Sequence, residues 1–198
     1  YRCELAGASS KSAALRVIGR LYPKSPEVEV YLAQCLPKGP AFDEIIRQSV
    51  ELGASGIYPL MSCRSVVRLG RADAEKKSAK WFEKYVEAIK QSSNLSKFEM
   101  PPVSDISDFL SNSGGFEVKL VASLRENASP IYKVLKSAGV DFAKSACVLI
   151  GPEGDLSDAE YDAAESAGFI PVKLGDNVMK CDTAAACALS VLKAFWQK

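Results

Sequence analysis

Histidine is absent from this chain of 198 residues. That single absence removes histidine-bearing zinc sites, Ser-His and Cys-His catalysis, and the usual general base near neutral pH. Six cysteines are present (Cys3, Cys35, Cys63, Cys147, Cys181 and Cys187), but no two form a C-x-x-C pair. Neither a thiolate metal site nor a dithiol redox centre has a signature here, so no metal is expected. Cys147 and Cys187 lie in apolar patterns and read as core residues. Scattered thiols without a pairing framework suit a reducing, cytoplasmic setting. No apolar run approaches the roughly 20 residues of a bilayer-spanning helix, so no membrane partner is expected. The start has no secretory-signal pattern, and Tyr1-Arg2-Cys3 reads as a point partway into a domain. Phosphate cradles of the G-x-x-x-x-G-K-[ST] and G-x-G-x-x-G types are missing, as are internal repeats.

What is present is the composition of a globular domain, 47% apolar and 25% charged. The length fits one large domain, or one domain and a fragment. Net charge is only +1, yet it is unevenly spread. Residues 61–97 hold nine Lys/Arg against four Asp/Glu, whereas residues 98–170 hold five against twelve. A basic segment in a neutral chain points to a phosphate-bearing partner, although a solvated helix face has the same composition.

Two apolar stretches, 13–18 and 28–33, read as strands joined by a turn at 23–26, the remnant of a small β domain over residues 1–33. From residue 34 onward helices and strands alternate. Helices are expected at 41–52, 73–93, 104–112, 129–139, 158–167 and from Asp182 or Thr183 to the end. Strands are expected at 57–61, 116–122, 146–150 and 170–174. Trp81, Phe82, Tyr85, Val86 and Ile89 share one face of the second helix and are expected in the core, with Lys76, Lys77, Lys80 and Lys84 opposite. Alternation of this kind predicts an α/β fold with a mainly parallel sheet covered on both faces. Ligands in such folds sit beyond the carboxyl ends of the strands.

The most informative stretch runs from Val148 to Glu160. An apolar strand enters the turn Gly151-Pro152-Glu153-Gly154, and Ser157 with Glu160 then forms a capping box that opens a helix. The strand exits at 122–127, 150–156 and 174–183 are each Gly-rich or polar, and a parallel sheet places them on one side.

These residues resemble the RsmE family of the SPOUT (α/β-knot) methyltransferases. The likeness rests on Ile150-Gly151-Pro152-Glu153-Gly154, Leu156-Ser157 with Glu160, Ala167-Gly168-Phe169, Leu174-Gly175, and Val178 to Ala184. Upstream, Leu36-Pro37-Lys38-Gly39, Ser49 to Gly53, Pro59-Leu60, Arg64 to Val67 and Gln91-Ser92 match the middle section. Relative to the family pattern, Asp155 replaces the second Gly of G-P-E-G-G. Lys180 and Asp182 replace the Arg and Glu of L-R-x-E-T-A, and Lys90 and Asn94 replace a Glu and an Arg.

The resemblance implies a deep C-terminal trefoil knot in a methyltransferase domain over residues 34–198, preceded by part of a PUA-like RNA-binding β-barrel. It implies a homodimer that binds S-adenosylmethionine (SAM) and methylates ring nitrogen 3 of a uridine in small-subunit (16S) ribosomal RNA or the assembled subunit. Another SPOUT target, or a non-catalytic assembly factor, is the alternative. On this reading Lys180, Asp182 and Glu153 are the candidates for the chemistry. Leu124, Ile150, Gly151, Pro152, Glu153, Gly154, Leu174, Gly175, Met179, Cys181, Thr183 and Ala184 are the candidates for SAM. Lys38, Arg64, Arg68, Arg71, Lys76 and Lys77 are the candidates for RNA. Glu153 equally suits a carboxylate that only accepts turn amides, and Asp182 and Thr183 equally suit helix caps.

Overall fold

Alternate residues of the central strands face opposite layers, and both faces are apolar. Val30, Leu32, Val118, Leu120, Ala146, Val148 and Ile150 pack into one core, and Tyr31, Ala33, Cys35, Val121, Cys147 and Leu149 into another. Strands buried on both sides are the signature of a parallel sheet inside helices. The computed structural model describes residues 1–22 and 25–197, without the side chain of Arg71. The turn expected at 23–26 therefore lies partly outside the described residues.

The strands are β1 (Arg2–Ala8), β2 (Ala13–Gly19), β3 (Glu29–Cys35), β4 (Gly56–Met61), β5 (Ser104–Asp105), β6 (Val118–Ala122), β7 (Ser129–Pro130), β8 (Ser145–Ile150) and β9 (Ile170–Lys173). The helices are α1 (Ala41–Glu51), α2 (Arg71–Ser92), α3 (Ile106–Ser111), α4 (Ile131–Ser137), α5 (Asp158–Ser166) and α6 (Cys181–Trp196). Seven strands form one sheet in the order β5-β4-β3-β8-β6-β9-β7. Every neighbouring pair is parallel. Side chains from α1, α2, α4 and α6 fill the first core, and those from α3 and α5 fill the second. The expected parallel α/β sheet is thus observed.

Several local expectations need correction. Strand β3 does not pair with β2; it sits between β4 and β8, so a domain boundary at residue 33 would cut through the centre of the sheet. The reason is legible afterwards: residues 30–36 are apolar without alternation apart from Gln34, as a strand buried on both faces must be. β2 pairs instead with β1, an antiparallel partner that the opening residues did not announce. Ser104 and Ser129-Pro130 belong to two-residue strands, and α3 and α4 begin just after them. Pairing to an open sheet edge decided these positions rather than capping chemistry. Phe82 is 58% exposed, because Trp81 and Ala88 carry the buried stripe of α2. Cys147 is fully buried as expected, but Cys187 is only half-buried on the edge of α6.

Among the described glycines, Gly56 leaves the least room for a side chain. A methyl group there would lie 2.5 Å from the carbonyl oxygen of Glu99, whose segment bridges to Gly56. Backbone cannot yield as a flexible side chain can. Gly56→Ala is expected to lower unfolding free energy by about 1–3 kcal/mol, read as a shifted denaturation midpoint at unchanged m-value.

Candidate active site

In the sheet order, β6 lies between β8 and β9, so the three expected exits are adjacent. They line one cleft of about 520 Å³, within the usual range for a small-molecule site. Its walls include Ala122, Ser123 and Leu124 from the first exit, and Ile150, Gly151, Pro152, Glu153 and Asp155 from the second. Leu174, Gly175, Asp176, Asn177, Val178, Met179, Lys180, Cys181 and Ala184 come from the third. Of the residues expected around a cofactor, Gly154 and Thr183 are not in this wall, and neither is Asp182, a candidate for the chemistry. Gly154 faces Arg64 instead, and a methyl group at that position would meet the Arg64 side chain at an ordinary 3.5 Å. Asp182 and Thr183 are not caps: α6 opens at Cys181 with Lys180 in the N-cap position, and Asp182 Oδ1 accepts the adjacent Thr183 N–H at 2.9 Å.

Two glycines shape the cleft. A side chain at Gly175 would press on Met179 Cε at 3.0 Å, and one at Gly151 would press on Leu156 at 3.3 Å. Glycine at these points lets backbone border the cavity directly. Cys181 is buried at its floor, with its thiol 3.5 Å from Gly151 O. Burial, and then the charge of Glu153, push this thiol up to about 11, so it stays protonated and unreactive at neutral pH.

The loop from Gly151 to Ser157 is stitched to the segments after β3 and β4 by long-range contacts. Lys38 N–H donates to Glu153 Oε1 at 2.8 Å. Arg64 Nη1 donates to Gly154 O and Leu156 O at 3.1 and 3.2 Å. The guanidinium that the family resemblance made a candidate for RNA is therefore committed in part to holding the loop. Arg68 donates to Cys63 O, and Lys77 lies over the Trp81 ring at 5.9 Å. Lys76 is exposed on α2, and Arg71 contributes a side chain outside the described set.

Glu160 does more than close its capping box. It accepts Ser157 N–H at 2.9 Å, and from across the fold it accepts Cys63 N–H at 2.7 Å and the Cys63 thiol at 3.1 Å. Burial opposes its charge, but these donors outweigh burial and hold the carboxyl below its usual range. Its folded value lies below its unfolded value, so its stabilisation is present above the unfolded pKa and fades as pH falls through the folded one. Glu160→Gln is expected to lower stability at pH 7 by about 1–3 kcal/mol. The difference from the unsubstituted chain should shrink below about pH 4, as measured by denaturant midpoints across that range.

The chain matches the RNA methyltransferase domain family over residues 23–193. A Bacillus subtilis ribosomal RNA small subunit methyltransferase E is 30% identical over 96% of this chain and 76% of its own length. This chain belongs to that methyltransferase E family. A Neisseria gonorrhoeae member solved with SAM has a TM-score of 0.87 at 25% identity, covering 98% of this chain and 78% of its own. A putative methyltransferase from Legionella pneumophila, also solved with SAM, has a TM-score of 0.83 at 26% identity over 97% and 77% of the two chains.

Against the methyltransferase E pattern, Asp155 is the most informative departure. Its φ is +61°, and Ser93 is the only other described non-glycine residue with a positive φ. Glycine adopts that conformation freely, whereas an L-residue gives up about 1–2 kcal/mol, less for Asp with its local hydrogen bonds. Here Oδ1 accepts Leu156 N–H at 2.8 Å and the Tyr161 hydroxyl at 2.7 Å. Sequence reasoning noticed Asp155 but missed Tyr161, whose spacing on α5 reads only as core.

Proposed function

We propose that this chain transfers a methyl group from SAM to ring nitrogen 3 of a uridine in small-subunit (16S) ribosomal RNA. One observation carries the reading: three adjacent exits enclose a single cleft, in a fold whose Neisseria gonorrhoeae relative holds SAM. The residues present suit that molecule. Leu124, Ile150, Leu174 and Met179 offer apolar surface for the adenine and methylene groups. Backbone at Gly151, Pro152, Gly175 and Cys181 is close enough for polar recognition. The carboxylates of Glu153, Asp155 and Asp176 favour a ligand bearing sulfonium and ammonium charge.

When bound, SAM supplies a methyl group already activated on sulfur. The chain must then align donor and acceptor and help remove the weakly acidic ring proton. Lys180 enters the cleft wall at the head of α6 and stabilises negative charge developing on the uracil ring. Glu153 also lines the cleft and is the better placed carboxylate for the proton; Asp182, turned to its own helix, positions the first turn.

The finer architecture belongs to the same reading. β9 lies on one side of β6, whereas α6 packs against α1, β3 and β8 on the other. The segment 174–180 crosses between them, which supports a knotted C-terminus. The hairpin β1–β2 leaves Leu5, Leu15 and Val17 exposed on one face, as a piece of a larger RNA-binding β domain would. A second copy fits the apolar groove of Tyr132, Val191, Ala194 and Phe195, which adjoins the cleft at Leu174 and Gly175. Six free cysteines suit a reducing cytoplasm.

Calorimetric titration with SAM tests the cleft, and absence of binding would remove the enzyme reading. Mass mapping of ribosomal RNA from cells lacking the protein tests the target. A single uridine is expected to lose its ring methyl group, and an unchanged modification map would exclude this substrate.

A further inference from the structure

We propose that Tyr161 and Asp155 act as one coupled positioning pair, which locks the second cofactor loop in a backbone conformation that glycine would reach unaided. The inference rests on the SAM reading of the cleft and deepens it. Tyr161 projects from the first turn of α5 and is 2% exposed. Its hydroxyl donates to Asp155 Oδ1 at 2.7 Å and lies 3.3 Å from Ala122 O. Ala122 and Asp155 both line the cleft, one from the exit of β6 and one from the exit of β8. One buried phenol therefore spans two of the three cofactor loops.

The pair is held from several directions. Asp155 N–H closes a turn onto Pro152 O at 2.9 Å. Oδ1 accepts Leu156 N–H as well, so the carboxylate bonds both its own chain and α5. A side chain at Gly151 would come within 3.4 Å of this same oxygen, so any shift of the carboxylate reaches the cleft wall. Behind the ring, the Arg125 guanidinium lies 5.1 Å from the Tyr161 centroid and pairs with Asp158 and Asp162 at 3.0 and 2.9 Å. Arg125 thereby ties the remainder of the first exit to α5.

Catalysis by Tyr161 itself does not fit this placement. The ring is buried behind the loop and is not part of the cleft wall. Burial, then the hydrogen bond to Asp155, push the phenol above its ordinary range, so it remains a donor. Its effect on the reaction is transmitted through the loop. At Asp155 the positive φ makes the loop depend on that donor. With glycine at 155 the same backbone is intrinsically allowed, and the donor loses its purpose.

A two-by-two cycle on the full chain tests the coupling: the unsubstituted protein, Tyr161→Phe, Asp155→Gly and the double variant, each titrated with SAM by calorimetry. Tyr161→Phe is expected to weaken SAM about tenfold when residue 155 is Asp, and by less than about twofold when it is Gly. Equal losses in the two backgrounds overturn the proposal. A chain that fails to bind SAM in its unsubstituted form overturns the reading of the cleft and this inference with it. Binding followed by an additive cycle overturns the coupling alone. Should Tyr161→Phe not fold, Asp155→Asn and Asp155→Ala decide the matter. Asn keeps an acceptor and tolerates positive φ, so it is expected to bind SAM several-fold more tightly than Ala; equal affinities refute the pair.

Discussion

Replacing Lys180 by alanine is expected to reduce turnover by about 10²–10³-fold while changing SAM affinity little. The asymmetry follows from where the residue sits. Its backbone heads α6, and its carbonyl accepts Ala184 N–H at 2.8 Å, a bond that alanine preserves. Its side chain makes no cap contact to the helix and stands at the cleft wall among exposed residues 175–178. Removing it leaves the apolar floor of Ile150, Cys181 and Ala184 intact, so the cofactor surface survives. On the proposed reading, what disappears is the cation assigned to the charge that develops on the uracil ring. Single-turnover kinetics at saturating SAM, with calorimetry alongside, separate the two effects. Unchanged turnover would sink the assignment. Lys180→Arg is the companion experiment, because the family pattern has arginine there. A planar fork and a point charge are not equivalent, and recovery above the unsubstituted rate would mark a bidentate contact to the substrate.

RNA affinity is expected to fall by about 10²–10³-fold between about 50 and 200 mM salt, as for roughly five phosphate contacts. The basic stretch after β4 and along α2 is the proposed source of these charges, and its residues are not equally free. Lys80 pairs with Asp43 at 3.2 Å and Lys84 with Glu87 at 2.9 Å, so each is part-neutralised in place. Arg64 is committed to two loop carbonyls. Lys38, Arg68 and Lys76 are exposed at the rim or on the helix. Charge reversal at Lys76 should therefore lower the slope of log affinity against log salt by about one. The same change at Lys80 should lower it less and also release Asp43. Filter binding across a salt series reads both slopes. A flat dependence would mean that α2 faces solvent alone.

The two sets of contacts explain why the cleft could be anticipated and its support could not. The Ser157–Glu160 capping box is a spacing of three residues, and the observed cap is the one the sequence announced. The Glu160 bond to Cys63 spans 97 positions, and the Arg64 bond to Gly154 spans 90. No periodicity carries such pairings, since they depend on which strands become neighbours. Phe82 shows the converse error: its helical spacing suggested burial, but buried Trp81 and Ala88, with half-buried Tyr85 between them, sufficed to dock α2.

The sequence alone determined the alternation of strands and helices, the three strand exits that border one cleft, and the family likeness, because all three are written in local spacing. The tertiary structure decided that β3 is the central strand and that Arg64 braces a loop. It also decided that Asp155 is tolerable where glycine would be expected. That last point needed the sheet to bring Ala122 beside the β8 exit, so that Tyr161 could reach both; a left-handed backbone at an aspartate is held by partners, and partners are a property of the fold.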